Sequence, residues 1–121
     1  MPTAAYRDEG TSYHYAPASD YIDIPTAAEL SAAFDAISMP HVQGKTWTTD
    51  AIYRETRDGL AKRRAEGCIT VEMECASLMA VGQFRKKGVY QFLYAEDCLD
   101  SVEWDPRIMG KQPATAYEGY L

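Results

Sequence analysis

The chain has 121 residues, of which 46% are hydrophobic and 25% charged, as expected for one globular domain with a single core. Its net charge of −6 leaves no basic stripe, so we expect no nucleic-acid partner. Three irregularly spaced cysteines and the absence of an apolar run of about 20 residues predict a cytoplasmic protein without a disulfide framework, a metal site or a membrane segment.

The first half of the chain predicts two short strands, a helix and a third strand. Residues 3–7 and 11–16 have the composition of strands. A capping-box pattern followed by apolar residues on one face predicts a helix over 27–38. Pro40 follows this helix, and the next strand is predicted over 41–46.

The second half continues the alternation of helices and strands. It predicts a polar surface helix over 56–66, a short strand over 68–71 and a largely apolar, central helix over 73–87. The apolar and aromatic run 89–95 is typical of a strand that is covered on both faces. This order predicts an α/β protein with a mixed or parallel sheet.

Acidic side chains follow two of the predicted strands. The run Val71-Glu72-Met73-Glu74 joins a strand to an apolar helix, and Glu96-Asp97 ends the next strand. A carboxylate beside apolar walls needs a polar partner, and ligands of α/β sheets bind beyond the strand ends. The alternative is that these acids only stabilise a helix N-terminus, by about 0.3–1 kcal/mol.

Three runs together resemble a known family. Val71-Glu72-Met73-Glu74 with the small residues after it, residues 44–51 and residues 7–12 resemble the C-terminal part of the nucleoside phosphorylase superfamily. This superfamily includes purine nucleoside and uridine phosphorylases, and the resemblance covers residues 4–107. It implies a truncated three-layer α/β phosphorylase/hydrolase-like fold with a mixed central sheet and flanking helices. Residues 1–121 would then form a single domain that corresponds to the C-terminal part of a nucleoside phosphorylase-like domain.

The resemblance also implies roles for individual residues. Glu74 would bind the ribose hydroxyls, with Met73 under the sugar and Glu72 lining the site. Trp47 would stack on the base. Asp97 would be the catalytic residue that protonates or hydrogen-bonds the departing base. The implied partner is a small-molecule nucleoside, and the reaction needs phosphate as co-substrate but no cofactor and no metal.

The phosphate site is the main departure from the family. The glycine-rich turn and the arginines that hold phosphate in the family lie N-terminal to the part that this chain resembles. Three functions therefore stay open. They are phosphorolysis of a nucleoside, a non-catalytic nucleoside-binding or oligomer-forming role, and hydrolysis of the nucleoside with water in place of phosphate.

The preferred base and the oligomeric state follow from smaller signals. Thr56-Arg57-Asp58 stands where uridine phosphorylases carry Gln-x-Arg, and Asp97 favours a purine, although Glu96 replaces the family's small hydroxyl residue. Half a domain should expose apolar helix residues, so we expect a homo-oligomer. The residues expected at the exposed surface are Leu78, Met79 and Phe84. His14 and His41 are assigned structural roles, because no Ser or Cys nucleophile motif surrounds either.

Overall fold

A computed structural model describes residues 1–99, 103 and 105–107. In this part of the chain, four strands form one mixed sheet in the order β2-β1-β3-β4. β1 is parallel to β3 and β3 is parallel to β4, whereas β2 is antiparallel to β1. The strands are β1 Pro2–Asp8, β2 Tyr21–Asp23, β3 Gly44–Thr49 and β4 Cys68–Glu72.

In the described residues, three α-helices flank the sheet, and each lies within its predicted span. They are α1 Ala27–Ala36, α2 Arg57–Ala65 and α3 Cys75–Phe84. Two short 3-10 turns, Thr11–His14 and Ile52–Arg54, complete the elements of this part of the chain. The predicted α/β class, with a mixed sheet and flanking helices, is confirmed. None of the helices in the described residues is both long and apolar enough to cross a membrane.

The two ends of α2 show how local sequence sets a helix. The hydroxyl of Thr56 accepts a hydrogen bond from the Gly59 N–H at 3.2 Å and satisfies one of the free donors of the first turn. Gly67 follows the helix with a φ of +93°, a backbone conformation that side chains with a Cβ rarely adopt. The chain can therefore reverse directly into β4.

The face of the sheet that carries α1 and α3 holds an apolar cluster, next to the buried hydroxyls of Thr46 and Thr48 on β3. Small side chains from α3 let this helix lie close to the strands, and the N-terminus of α1 joins the same cluster. Its fully buried members are Ala5, Ile22, Ile24, Ala27, Cys75, Ala76, Met79 and Ala80. The predicted central position of α3 is confirmed.

The opposite face is covered by the polar helix α2. Arg63 lies over the Tyr6 ring, with its guanidinium carbon 3.6 Å from the ring centroid, and bonds Glu66 at 2.7 Å. The Tyr21 hydroxyl donates to the same carboxylate at 2.5 Å. Since Ala5 and Tyr6 are neighbours in β1, their side chains point to opposite faces, and the sheet forms the middle of three layers.

The strand predicted over residues 11–16 is wrong. The Ser12 N–H donates to Glu9 at 2.9 Å and the Arg7 guanidinium donates to the Ser12 hydroxyl at 2.7 Å. These bonds turn the chain back into a 3-10 turn, so the second strand forms later, at Tyr21–Asp23.

Two other predictions also fail. Residues 89–95 form no regular strand, although their composition suits one, because a strand also needs a neighbour with which to exchange backbone hydrogen bonds.

Met79 was predicted to be exposed, yet it is only 3% exposed, because it faces the apolar cluster. Leu78 and Phe84 are exposed as predicted. β3 begins at Gly44 and extends through Trp47 to Thr49, later than predicted.

Candidate functional site

The junction between β4 and α3 is organised by Glu72. One carboxylate oxygen, Oε2, accepts hydrogen bonds from the backbone N–H groups of Glu74 at 2.8 Å and Cys75 at 2.6 Å. The other, Oε1, accepts from the Thr48 hydroxyl at 2.5 Å and lies 3.3 Å from that of Thr46. Both oxygens of Glu72 are thus engaged by the protein itself.

The next two residues, in contrast, face solvent. Met73 is 43% exposed and Glu74 is exposed at the start of α3. Glu74 makes no side-chain hydrogen bond or ion pair with any other described residue. A carboxylate and a thioether therefore stand side by side with their outer surfaces available.

A cleft of about 820 Å³ runs along β4 between α2 and residues 93–99. Its volume is within the range of about 300–1,000 Å³ that small-molecule sites occupy. The cleft brings together four of the five predicted site residues: Glu72, Met73, Glu74 and Asp97. Glu96 lines it as well.

Trp47 lies away from this cleft. Its side chain is 3% exposed, and its indole N–H donates to Asp8 at 3.0 Å on the face covered by α2. A Cβ added at Gly59 would lie only 3.5 Å from the outer edge of the indole. With both faces covered, the ring offers no surface to a base in this structure, and its burial does not fit the predicted stacking role.

Glu55 is a candidate that the sequence reasoning missed. Burial raises the pKa of its carboxyl group, and the negative charge of Asp97 raises it further. The two carboxylates therefore lie near each other although 42 positions separate them in sequence (97 − 55). The sequence feature that could have indicated Glu55 is its position a few residues after the run from Trp47 to Asp50.

Side chains also connect the strand ends at this edge of the sheet. Asp50, after β3, accepts the Gly10 N–H at 3.1 Å and so braces the end of the strand through a backbone hydrogen bond. Glu9 is buried and accepts from the Ser12 N–H and, at 2.8 Å, from the Ser77 hydroxyl of α3. Burial alone would raise the pKa of Glu9, but the hydrogen bonds from Ser12, Ser77 and Thr11 outweigh it and lower the pKa.

The cysteines near the junction are chemically quiet. Burial, followed by the charge of Glu72, raises the pKa of the Cys75 thiol to about 12. Burial also raises the pKa of Cys68. Neither supplies a thiolate at neutral pH, so neither is a nucleophile. Within residues 1–99, 103 and 105–107, no group of three or more His, Cys, Asp or Glu side chains is placed to hold a metal ion.

Comparison with known proteins decides the family. A model described as the phosphorylase superfamily matches residues 1–105. The chain belongs to the phosphorylase superfamily. Its fold is similar to the crystal structure of AMP nucleosidase from Bacteroides thetaiotaomicron, with 31% sequence identity and a TM-score of 0.58. That match covers 73% of this chain but only 40% of the nucleosidase, so this superfamily member spans less than half of its relative.

Proposed function

We propose that the chain is nucleoside phosphorylase-like and binds a nucleoside, preferably a purine nucleoside, in the cleft beside β4. The exposed Glu74 carboxylate is the observation that carries this proposal. Glu72, two residues earlier, has both oxygens engaged, whereas no other described residue binds the carboxylate of Glu74 at the cleft. An ionised carboxylate can accept one hydrogen bond from each hydroxyl of a cis-diol. Membership of the superfamily supports a nucleoside as the ligand.

The proposed reaction breaks the bond between the sugar C1′ and the base nitrogen. The electron pair of that bond leaves with the base, a phosphate oxygen bonds to C1′, and a proton is delivered to the base. Glu74 and Met73 would hold the sugar, and Asp97, which lines the same cleft, would hydrogen-bond or protonate the base. Glu55 is a second carboxylate near Asp97, and burial and the charge of Asp97 raise the pKa of Glu55 itself.

Trp47 has no part in this proposal, because its ring is covered by α2 and its indole N–H donates to Asp8.

A bound phosphate would need hydrogen-bond donors other than the backbone N–H groups at the start of α3. A helix N-terminus is an anion site, but Glu72 already occupies this one.

A second candidate reaction is hydrolysis, in which water attacks C1′. The similarity to a protein named as an AMP nucleosidase favours it. The third candidate is binding of a nucleoside without cleavage.

Base release measured with and without phosphate separates these candidates. Protein of confirmed mass is incubated with inosine, adenosine or uridine, and free base is quantified. Phosphorolysis predicts release that requires phosphate, and hydrolysis predicts release that does not. Binding by calorimetry without release supports the non-catalytic role. If the protein neither binds any of the three nucleosides nor releases a base from them, the proposal is wrong.

A matched pair of variants tests the role of Glu74. Glu74→Gln should weaken nucleoside binding about tenfold, since a charged acceptor is replaced by a neutral one. Glu29→Gln makes the same chemical change on the exposed surface of α1, where Glu29 accepts the Tyr90 hydroxyl, and should leave binding unchanged. Equal effects of the two variants would contradict the assignment.

Self-association stays a prediction. Leu78 and Phe84 expose apolar surface on α3 that a second copy could cover. Light scattering at several protein concentrations should show a mass above that of the monomer, and a constant monomer mass would contradict the prediction.

A further inference from the structure

The first turn of α3 is held from beneath by side chains of the sheet. The first N–H groups of a helix have no partner within the helix. Here those of Glu74 and Cys75 donate to Glu72, and that of Ala76 donates to the Thr48 hydroxyl at 3.1 Å. The Thr48 hydroxyl in turn donates to Glu72. Two side chains from neighbouring strands thus bind three consecutive N–H groups.

This arrangement continues into the sheet. Thr46 and Thr48 are both 0% exposed and point to the same face of β3, two residues apart. The Thr70 hydroxyl of β4 donates to that of Thr46 at 2.9 Å, and Thr46 lies within reach of Glu72. The carboxylate of Glu72 is therefore fixed from both strands, and its position fixes the turn above it.

We propose that Glu72 and Thr48 are positioning residues that hold Met73 and Glu74 in place for the ligand, without contacting the sugar themselves. The resemblance to the family implies that Glu72 lines the substrate site. It does border the cleft, but its two oxygens are engaged by Thr48 and by backbone N–H groups. The identity of the ligand as a nucleoside rests on the proposed function.

Positioning matters here because Glu74 is on the surface. Its backbone is not helical, with φ −129° and ψ −26°, and its N–H bond to Glu72 fixes that conformation. If the turn were loose, ligand binding would have to order it, and that ordering would reduce affinity. The preference for a ligand with a cis-diol over one with a single hydroxyl would also decrease. Both hydrogen bonds from the sugar hydroxyls depend on the position of the Glu74 carboxylate.

Two neighbouring threonines provide a matched test. Thr48→Val removes the hydroxyl that connects Glu72 to Ala76, with little change of shape. Thr49→Val makes the same change next to it. Thr49 is equally buried but points to the other face, where its hydroxyl accepts the Ala51 N–H. Neither residue lines the cleft.

The readout is the affinity for inosine relative to 2′-deoxyinosine. Thr48→Val should raise the Kd for inosine about fivefold, close to the value of one hydrogen bond, and should bring the two ligands closer in affinity. Thr49→Val should leave both unchanged. In the Glu74→Gln background, Thr48→Val should have little further effect. A Thr48→Val variant that weakens both ligands equally, or that adds its full effect to Glu74→Gln, would overturn the proposal.

Amide hydrogen exchange tests the same claim without any ligand. In Glu72→Ala, the N–H groups of Glu74 and Cys75 should exchange at least about tenfold faster, because their acceptor is gone. The remaining N–H groups of α3 serve as the internal control. Unchanged exchange at these two positions would overturn the positioning role. Loss of protection in a protein that binds no nucleoside would refute the proposed function alone.

Discussion

The two faces of the sheet are held by different kinds of interaction. On the α3 face, small apolar side chains such as Ala76 and Ala80 pack closely against Ala5 and Ile22. On the α2 face, Arg63 lies over an aromatic ring and bonds a carboxylate that also accepts a tyrosine hydroxyl. The apolar cluster of the first face depends on burial, and the second face on directed contacts between polar and aromatic groups.

This difference shows what each face can contribute to a site. Close packing on the α3 face leaves the helix little freedom, which suits the proposed role of its first turn in presenting Glu74 at a fixed place. The α2 face has Trp47 buried among polar partners, where it supports the sheet and does not reach the cleft. The aromatic residue in the run that resembles the family is therefore buried in this structure.

Met79→Ala tests the packed face and should have the largest effect. Met79 is buried in the apolar cluster, and its truncation leaves a cavity in a helix-to-sheet contact. We expect a loss of about 3 kcal/mol in the free energy of unfolding, measured by urea denaturation. A loss below about 1 kcal/mol, smaller than such core truncations give, would mean that this face is not the main support of the fold.

Arg63→Met tests the polar face. The methionine keeps most of the apolar stem but removes the charge over Tyr6 and the bond to Glu66. We expect a loss of about 1–2 kcal/mol, since cation–π contacts and partly exposed ion pairs are individually modest. The cost should shrink in high salt, unlike that of Met79→Ala. An equal cost at all salt concentrations would contradict an electrostatic origin.

Glu9→Gln tests the polar contact at the edge of the packed face. The pKa of Glu9 is lowered in the folded protein, so its contribution to stability is present above the ordinary value of 4.5 and is lost as the pH falls through the folded pKa. The variant should be less stable at pH 7 by roughly 1 kcal/mol. The difference from the unaltered protein should shrink steadily as the pH falls below 4.5 and through the folded pKa of Glu9. A difference that does not depend on pH would show that shape, and not charge, determines the effect.

Glu55→Gln should give the smallest change, and with the opposite sign. Burial and Asp97 raise the pKa of Glu55, so ionisation in the folded state carries a cost that grows as the pH rises above 4.5. The neutral variant should therefore melt at a slightly higher temperature at pH 7 and at the same temperature at pH 4. A lower melting temperature at pH 7 would mean that ionised Glu55 has a favourable partner.

The helices were predictable because their signals are local. The spacing of apolar residues and the turn residues near each end gave α1, α2 and α3 close to their observed bounds. The run around Glu72 also identified the junction that the structure shows. The same run resembles the phosphorylase superfamily, and the comparison confirms that the chain belongs to it.

The failures depend on contacts between distant residues. The turn at Thr11–His14 forms because Arg7 and Glu9 make hydrogen bonds with Ser12. Strand propensities of single residues do not account for such bonds. The three-residue strand β2 has too few side chains to show a period. The hydrogen bonds of Glu72 and Trp47 to Thr48 and Asp8 could not be predicted either, because these partners lie 24 and 39 positions away in sequence. A sequence pattern shows that an acid lies at a strand end, but only coordinates show what it binds.

The unequal burial of the three cysteines offers a practical route to these measurements. Cys68 and Cys75 are buried, with raised thiol pKa values, whereas Cys98 is partly accessible and borders the cleft next to Asp97. A maleimide dye should therefore modify the native protein at Cys98 first. An environment-sensitive fluorophore attached there would report ligand entry without any engineered labelling position.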